Sequence, residues 1–146
     1  FTKVFSIEKR DFFDDYAHHP TEIKAVIKSA KEVYGDRKII CVFQPHRYSR
    51  VNALKNDFAS SFKLINEVVL CPVYSAGEKR KYNFNQNNFS KLISKKSRTQ
   101  VINISNKNDL KNYFKKNLHN NEVIICMGAG SITNWIREIG NELRWI

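Results

Sequence analysis

Long apolar runs are absent from this sequence of 146 residues. Its apolar runs, such as those at residues 39–43 and 68–71, are far shorter than the roughly 20 residues that a membrane-spanning helix needs. The first residues also lack the charged and apolar regions of a secretory signal peptide. We therefore expect a cytoplasmic protein with no membrane partner.

Cysteine is scarce as well, with only Cys41, Cys71 and Cys126 in the whole chain. No two of them form a C-x-x-C pair, and each lies in or beside a short β-type run. Cysteines paired at short spacing are the usual sign of a disulfide framework or a zinc site. The sequence instead predicts three buried free thiols and no metal ligands, which suits a reducing cytoplasm.

The phosphate-binding loop of ATP-driven enzymes, G-x-x-x-x-G-K-[ST], occurs nowhere in the chain. Because the backbone of that loop cradles nucleotide phosphates, an ATP-dependent activity would need the loop from outside these residues. The length suits one domain with a genuine core but is short for a complete ATP-driven ligase. We therefore predict that no residue of this chain is catalytic in isolation.

Acidic residues are few, with 14 Asp and Glu against 25 Lys and Arg, which gives a formal charge of +11. Such a surplus is typical of nucleic-acid-binding proteins, because Lys and Arg release counterions from a phosphate backbone. The lysines are scattered along the chain, however, and no nucleic-acid-binding motif accompanies them. We predict no nucleic-acid partner.

Short β-branched runs alternate with longer stretches of helical spacing, the pattern of an α/β domain whose mostly parallel sheet is flanked by helices. The sequence predicts strands at 38–44, 67–71, 100–104 and 122–127, with a less defined strand within 5–13. It predicts helices between Pro20 and Gly35 and at 51–65, 87–95, 106–118 and 132–143. The polar stretch 75–88 is an exposed loop or, alternatively, a linker.

Acids, a tyrosine and histidines converge in the string DDYAHHPTE, at residues 14–22 between the first strand and the first helix. Loops that follow parallel strands are where α/β folds bind ligands. These side chains could coordinate Mg²⁺, orient an amine or contact a ribose. They could equally cap the helix and pack against it.

Two other strings also lie between a strand and a helix: QPHRYSR at 44–50 and GAGS at 128–131. If a helix starts near Arg47, that residue and Arg50 project from one side and could hold a carboxylate or phosphate. They could also be solvated surface arginines. The glycines let backbone amides approach an anion, but without a third glycine the string predicts a tight turn, with or without phosphate contact.

Together with VYSAGE at 73–78, these strings resemble, in the same order and at comparable spacing, the C-terminal domain of UDP-N-acetylmuramate:L-alanine ligases, a branch of the Mur ligase family. The resemblance implies a Rossmann-like domain at 12–146, with 1–11 as the junction or tail of a preceding central domain. It also implies an enzyme in which ATP phosphorylates the muramoyl carboxylate and the amine of L-alanine attacks the acyl phosphate.

The resemblance also assigns roles to six residues. It implies that Asp15 and Tyr16 contact the nucleotide, and that the amino-acid substrate meets the side chains of His18, His46, Arg47 and Arg50. ATP and Mg²⁺ are the implied cofactors, with their main ligands in the missing central domain, and UDP-N-acetylmuramate binds the missing N-terminal domain. Two positions depart from the family: Ala17 replaces a usual glycine, and Ser131-Ile132-Thr133 replaces the usual residues after the glycines.

Two alternatives remain open at this point. The murein-peptide recycling ligase shares the first string, although QPHRYSR favours the alanine-adding enzyme. From another class, the chain could be a nucleotide-binding or nucleic-acid-binding α/β module without a ligase role. A basic face away from Arg47 and Arg50, with salt-sensitive binding, would favour that module.

We predict that the isolated chain folds cooperatively but releases no phosphate from ATP in the presence of Mg²⁺, L-alanine and UDP-N-acetylmuramate, because it lacks a phosphate-binding loop. Titration calorimetry should likewise detect only weak binding of ATP or ADP, since the chain would supply one wall of a shared site. Steady turnover by the pure chain would show that the catalytic parts are misassigned.

Overall fold

The structure, a computed structural model, describes residues 1–79 and 84–144 of the chain. Within these ranges the strands are β1 (Thr2–Ile7), β2 (Arg10–Asp15), β3 (Ile39–Phe43), β4 (Glu67–Leu70), β5 (Gln100–Asn103) and β6 (Val123–Met127). The helices are α1 (Pro20–Tyr34), α2 (Tyr48–Ala53), α3 (Lys55–Ala59), α4 (Gln86–Ser97), α5 (Lys107–Asn117) and α6 (Ile132–Arg144).

The strands form one sheet in the order β1-β2-β6-β3-β4-β5. Only β1 and β2 pair antiparallel, and every other neighbouring pair is parallel. This confirms the predicted α/β fold with a mostly parallel sheet. Because β4 and β5 are neighbours in it, the stretch 75–88 between them is not a linker between domains. Four residues of that stretch, 80–83, lie outside the described residues.

Helices cover both faces of the sheet. The strand side chains alternate between the faces, so that Cys41 packs with α1 to α4 on one face and Val42 packs with α5 and α6 on the other. All three cysteines are free and buried, as predicted, and burial raises the pKa of each thiol. Among the described residues, no helix has both the length and the apolar character needed to cross a membrane.

The strand predicted within 5–13 corresponds to β2, but β1, which pairs with β2 in a hairpin, was not predicted. Its turn residues, Glu8 and Lys9, both have positive φ, at 51° and 66°. Two-residue hairpin turns need such angles and usually contain Asn or Gly, so the pair Glu-Lys gave no signal. Phe5 of β1 is buried in the core. The assignment of 1–11 to the end of a preceding domain stays a prediction about a longer protein.

The predicted continuous helix at 51–65 is wrong. Two short helices, α2 and α3, meet at Leu54, whose φ of −117° and ψ of 24° are not helical. After α3 the backbone N–H of Phe62 donates to the buried hydroxyl of Ser97 on α4, at 3.0 Å. An amide that is bonded to another element cannot continue a helical ladder, so this contact explains why the helix ends early.

The packing of α6 on β1 leads to a test of stability at Gly140. A Cβ on Gly140 would lie 2.5 Å from two ring carbons of Phe5, which is itself buried and stacked on Phe12. Helix propensity favours alanine by about 1 kcal/mol, whereas overpacking costs about 1–3 kcal/mol. We expect Gly140→Ala to lower the free energy of unfolding by about 1 kcal/mol in urea denaturation.

Asn141, its exposed neighbour in α6, provides the control. Asn141→Ala changes propensity without a clash and should raise the free energy of unfolding by a few tenths of a kcal/mol. Stabilisation by both substitutions would show that the Phe5 ring yields freely.

Candidate functional site

The carboxyl ends of four parallel strands lie level at one edge of the sheet. Met127 is in register with Asp15 on one side and with Phe43 on the other, and Phe43 is in register with Leu70. The loops that carry the four sequence strings therefore start side by side, in the order 14–22, 128–131, 44–50 and 73–78. This edge is where α/β folds bind ligands, and we take it as the candidate site.

A continuous row of four aromatic rings joins three of these loops. The ring centroids are 5.1 Å apart between Tyr16 and His18, 5.8 Å between His18 and His46, and 5.6 Å between His46 and Tyr74. The first two contacts are edge-to-face and the third is stacked. The structure thus brings together Tyr16, His18 and His46 of the residues that the resemblance singled out.

Arg50 joins this row through His46. Its Nη1 donates to Nδ1 of His46 at 3.0 Å and approaches the carbonyl of the same residue at 3.3 Å. A guanidinium has no acceptor atom, so Nδ1 of His46 must be the acceptor and, in the neutral ring, the proton lies on Nε2.

Arg47 lies just outside α2, at its N-cap position, so the helical spacing on which the sequence argument relied does not apply to the arginine pair. Its backbone has φ 71° and ψ 132°, in a region that non-glycine residues avoid. The Arg47 N–H donates to the carbonyl of Tyr74 at 2.8 Å, and the Tyr74 N–H donates to that of Pro45 at 2.8 Å. The neighbouring loop therefore holds this strained, exposed residue.

The Asp15 carboxylate is engaged by two nitrogen atoms. One carboxylate oxygen accepts the N–H of Ala17 at 2.8 Å, and the other lies 3.2 Å from the amino group of Phe1. Ala17 itself is buried and has no positive φ, so the methyl group in place of the family's glycine causes no backbone strain.

The glycine turn after β6 is filled by protein side chains. Gln44 donates through its amide nitrogen to the Ser131 hydroxyl at 2.8 Å and accepts the Ile132 N–H at 3.0 Å, which caps α6. A Cβ on Gly130 would lie 2.5 Å from a Tyr74 ring carbon, and one on Gly128 would lie 2.9 Å from the Gln44 carbonyl. The turn needs glycine because other residues of the site press against it.

Sequence reasoning assigned no role to Gln44, Ser49, Tyr74 or Glu78, although the four stand in the quoted strings. Glu78 accepts the Ser49 hydroxyl at 2.5 Å and the Ser49 N–H at 3.3 Å. These bonds lower the pKa of Glu78, so it is charged at neutral pH. The only sequence signal for these four residues was that they lie within the strings that resemble the family.

The residues at this edge are not arranged as a metal site. In residues 1–79 and 84–144, no group of three or more His, Cys, Asp or Glu side chains is placed to hold a metal ion. His18 and His46 are instead engaged with Tyr16, Tyr74 and Arg50.

His46 should titrate below the ordinary histidine pKa. Burial lowers its pKa first, followed by the nearby charges of Arg50 and His18. We expect an NMR titration to place the His46 pKa below about 6.5, and Arg50→Ala to raise it while Arg144→Ala, at the far end of α6, leaves it unchanged. An unshifted pKa in Arg50→Ala would mean that Arg50 does not face the ring in solution.

The sign for stability follows from the same shift. Because the unfolded chain takes up a proton on this histidine before the folded chain does, the free energy of unfolding should fall as pH drops below about 6.5. The fall due to His46 should stop once pH is below its folded-state pKa.

Comparison with known proteins gives consistent matches. Residues 2–130 match the family described as Mur ligase, glutamate ligase domain. The chain is 42% identical over 139 residues to the UDP-N-acetylmuramate–L-alanine ligase of Pelagibacter ubique, covering 95% of this chain and 30% of that protein. It is 43% identical over 120 residues to that of Sulfurihydrogenibium sp., covering 82% of this chain and 26% of that protein.

Solved structures share the fold. The UDP-N-acetylmuramate-alanine ligase of Thermotoga maritima aligns with a TM-score of 0.73 at 25% identity, over 97% of this chain and 29% of that one. The murein peptide ligase of Psychrobacter arcticus aligns with a TM-score of 0.78 at 18% identity, over 99% of this chain and 30% of that one, which shows the fold alone. This chain thus spans about 30% of the length of the relatives it matches. By its match over residues 2–130, the chain belongs to the family of Mur ligase glutamate ligase domains.

Proposed function

We propose that this chain is the C-terminal domain of an ATP-dependent ligase that joins L-alanine to UDP-N-acetylmuramate in the cytoplasm, during synthesis of peptidoglycan precursors. The observation that carries the proposal is the contact of His18, His46 and Arg50 at the level edge of the sheet. Matches at 42% and 43% identity to proteins named as this ligase support the choice of substrate.

The carboxylate of L-alanine would bind Arg47, Arg50 and His46. Arginines hold carboxylates in charge-assisted hydrogen bonds. His46 suits the same role, because Arg50 occupies Nδ1 and leaves an N–H at Nε2 to donate. All three groups are donors, so together they favour an anion.

The amine of L-alanine would bind His18. Nδ1 of His18 lies 3.0 Å from the carbonyl oxygen of Tyr16, which can only accept. In the neutral ring the proton therefore lies on Nδ1, and Nε2 carries a free lone pair that can accept an amine N–H. An acceptor ring beside a donor ring matches an amino acid, whose amine and carboxylate are attached to one carbon. Fixing both groups would aim the amine at the acyl phosphate.

The nucleotide would contact Asp15 and Tyr16. The Tyr16 side chain is 68% exposed, so its ring offers an open face for stacking on a base. Asp15 could bind a ribose hydroxyl with the acceptor sites of its carboxylate that the bond from Ala17 leaves free.

Mg²⁺ and the ATP phosphates would be held mainly by residues outside this chain. No phosphate-binding loop occurs in the sequence, and no group of metal-binding side chains exists in the described residues. The proposal therefore gives the residues at 1–79 and 84–144 only substrate contacts and no Mg²⁺ ligand.

The other candidates have less support. The murein peptide ligase shares the fold, but at 18% identity that likeness does not extend to its substrate. A nucleic-acid-binding module would need one basic face, whereas the lysines of α1 and those of α5 lie on opposite faces of the sheet. Lys107 and Lys111 of α5 are moreover paired with Glu138 and Glu142 of α6.

Arg47 and Arg50 provide the test, in the full-length enzyme. Arg47→Ala or Arg50→Ala should mainly raise the KM for L-alanine, with a loss of about tenfold to a hundredfold in kcat/KM, because a hydrogen bond to a charged group contributes about 1.5–3 kcal/mol. Lysine at either position should restore activity only in part, since a point charge cannot replace the planar guanidinium. Steady-state kinetics with varied L-alanine measure both effects.

Arg144→Ala is the matched control, because Arg144 lies at the other end of α6, about 18 Å along the helix axis. It should leave the alanine kinetics unchanged, and Tm should move little in the Arg47 and Arg50 variants. Normal alanine kinetics combined with lower stability in those two variants would contradict the proposal and make both arginines packing residues.

A further inference from the structure

Helix α2 starts next to a candidate substrate-binding residue that cannot cap it. The first N–H groups of a helix lack partners within the helix, and Ser, Thr, Asp or Asn at the N-cap usually accepts one of them. Here the N-cap residue is Arg47, whose side chain makes no capping hydrogen bond. Because a guanidinium has no acceptor, this position cannot cap the helix and also bind a carboxylate.

The missing acceptor comes from the loop after the neighbouring strand. Glu78 follows β4 and reaches Ser49, the second residue of α2, with one oxygen 3.3 Å from the backbone nitrogen and the other 2.5 Å from the hydroxyl. The N–H of Glu78 donates to the Ser75 carbonyl at 3.0 Å, which closes a tight turn beneath the carboxylate. The cap is thus formed by a residue 29 positions along the chain from the one it caps.

The same two loops are also joined at Arg47 itself, through its hydrogen bond to Tyr74 and that of Tyr74 to Pro45. Arg47 is fixed on one side by these backbone bonds and on the other by the capped helix start. We infer that Glu78 is a positioning residue for the amino-acid site: by capping α2 from the neighbouring loop, it lets Arg47 occupy the N-cap position and present its guanidinium to a carboxylate. This inference rests on the proposed function of Arg47 and Arg50.

The charge of Glu78 by itself would predict the opposite effect of its removal on the KM for L-alanine. Glu78 is negatively charged beside an anion-binding site, and its charge acts on Arg47. If that charge were all that mattered, removing it would strengthen the binding of an anionic carboxylate and lower the KM for L-alanine. If Glu78 positions Arg47, removing it should raise that KM. The sign of the change therefore separates the two explanations.

The experiment uses the full-length enzyme with Glu78→Ala. We expect the KM for L-alanine to rise about tenfold, the effect of losing one hydrogen bond to a charged group, with kcat nearly unchanged. The KM values for ATP and UDP-N-acetylmuramate should stay at wild-type levels. Glu78→Gln keeps one acceptor oxygen and should give an intermediate KM. The control is Glu142→Ala, which removes a surface carboxylate of α6 that is paired with Lys111 of α5. It should change none of these KM values.

A double-variant cycle shows whether Glu78 acts through Arg47. Arg47→Ala combined with Glu78→Ala should be no worse for L-alanine than Arg47→Ala alone, whereas additive losses would overturn the inference. If Glu78→Ala does not fold, Ser49→Ala removes only the hydroxyl bond and should still raise the KM several-fold. The positioning role is overturned if Arg47→Ala raises the KM for L-alanine but Glu78→Ala leaves that KM unchanged or lowers it. If Glu78→Ala does not fold, the same result in Ser49→Ala overturns the role. An unchanged KM in both Arg47→Ala and Arg50→Ala overturns the proposed function itself.

Discussion

Parallel pairing of β6 on both sides is the constraint on which the site depends. All five residues of β6 are fully buried, and each is in register with a residue of β2 and one of β3. A slip of β6 by one residue would turn its side chains to the opposite face and move the glycine turn by about 3.3 Å. Gln44 could then no longer reach both Ser131 and Ile132. The buried strand thus fixes the level at which the loops meet.

Two helices at this edge are capped at their N-termini by a side chain from another loop. Gln44, after β3, accepts the first N–H of α6, and Glu78, after β4, accepts an N–H of α2. Capping from within the helix would have tied up the residues that open each helix. Because the acceptors come from the loops after neighbouring strands, the turn before α6 can be glycine-rich and the residue before α2 can be Arg47. The same bonds connect each loop to its neighbour.

Much of the fold could be predicted because its signals are local. The apolar period of α1 and the β-branched runs of β3 and β6 depend only on neighbouring residues. The unpredicted strand β1 and the wrongly predicted helix at 51–65 both involve features without such a signal. The hairpin turn uses Glu8 and Lys9 in place of Asn or Gly, and the predicted long helix ends where the amide of Phe62 meets Ser97, 35 positions away. No pattern within a short window contains that second contact.

The candidate site also contains features that local sequence signals predict and features that depend on contacts between distant residues. The ends of predicted strands indicated that 14–22, 44–50 and 128–131 lie where α/β folds bind ligands, whereas 73–78 was included only through the resemblance. The atoms that act could not be predicted in this way, since the proton on His46 is set by Arg50 and that on His18 by the Tyr16 carbonyl. Arg47 is the extreme case: local propensity favours neither arginine at an N-cap nor a positive φ there. The backbone bond to Tyr74 holds Arg47 in this unfavourable conformation, and positions where local rules fail in this way are expected at functional sites.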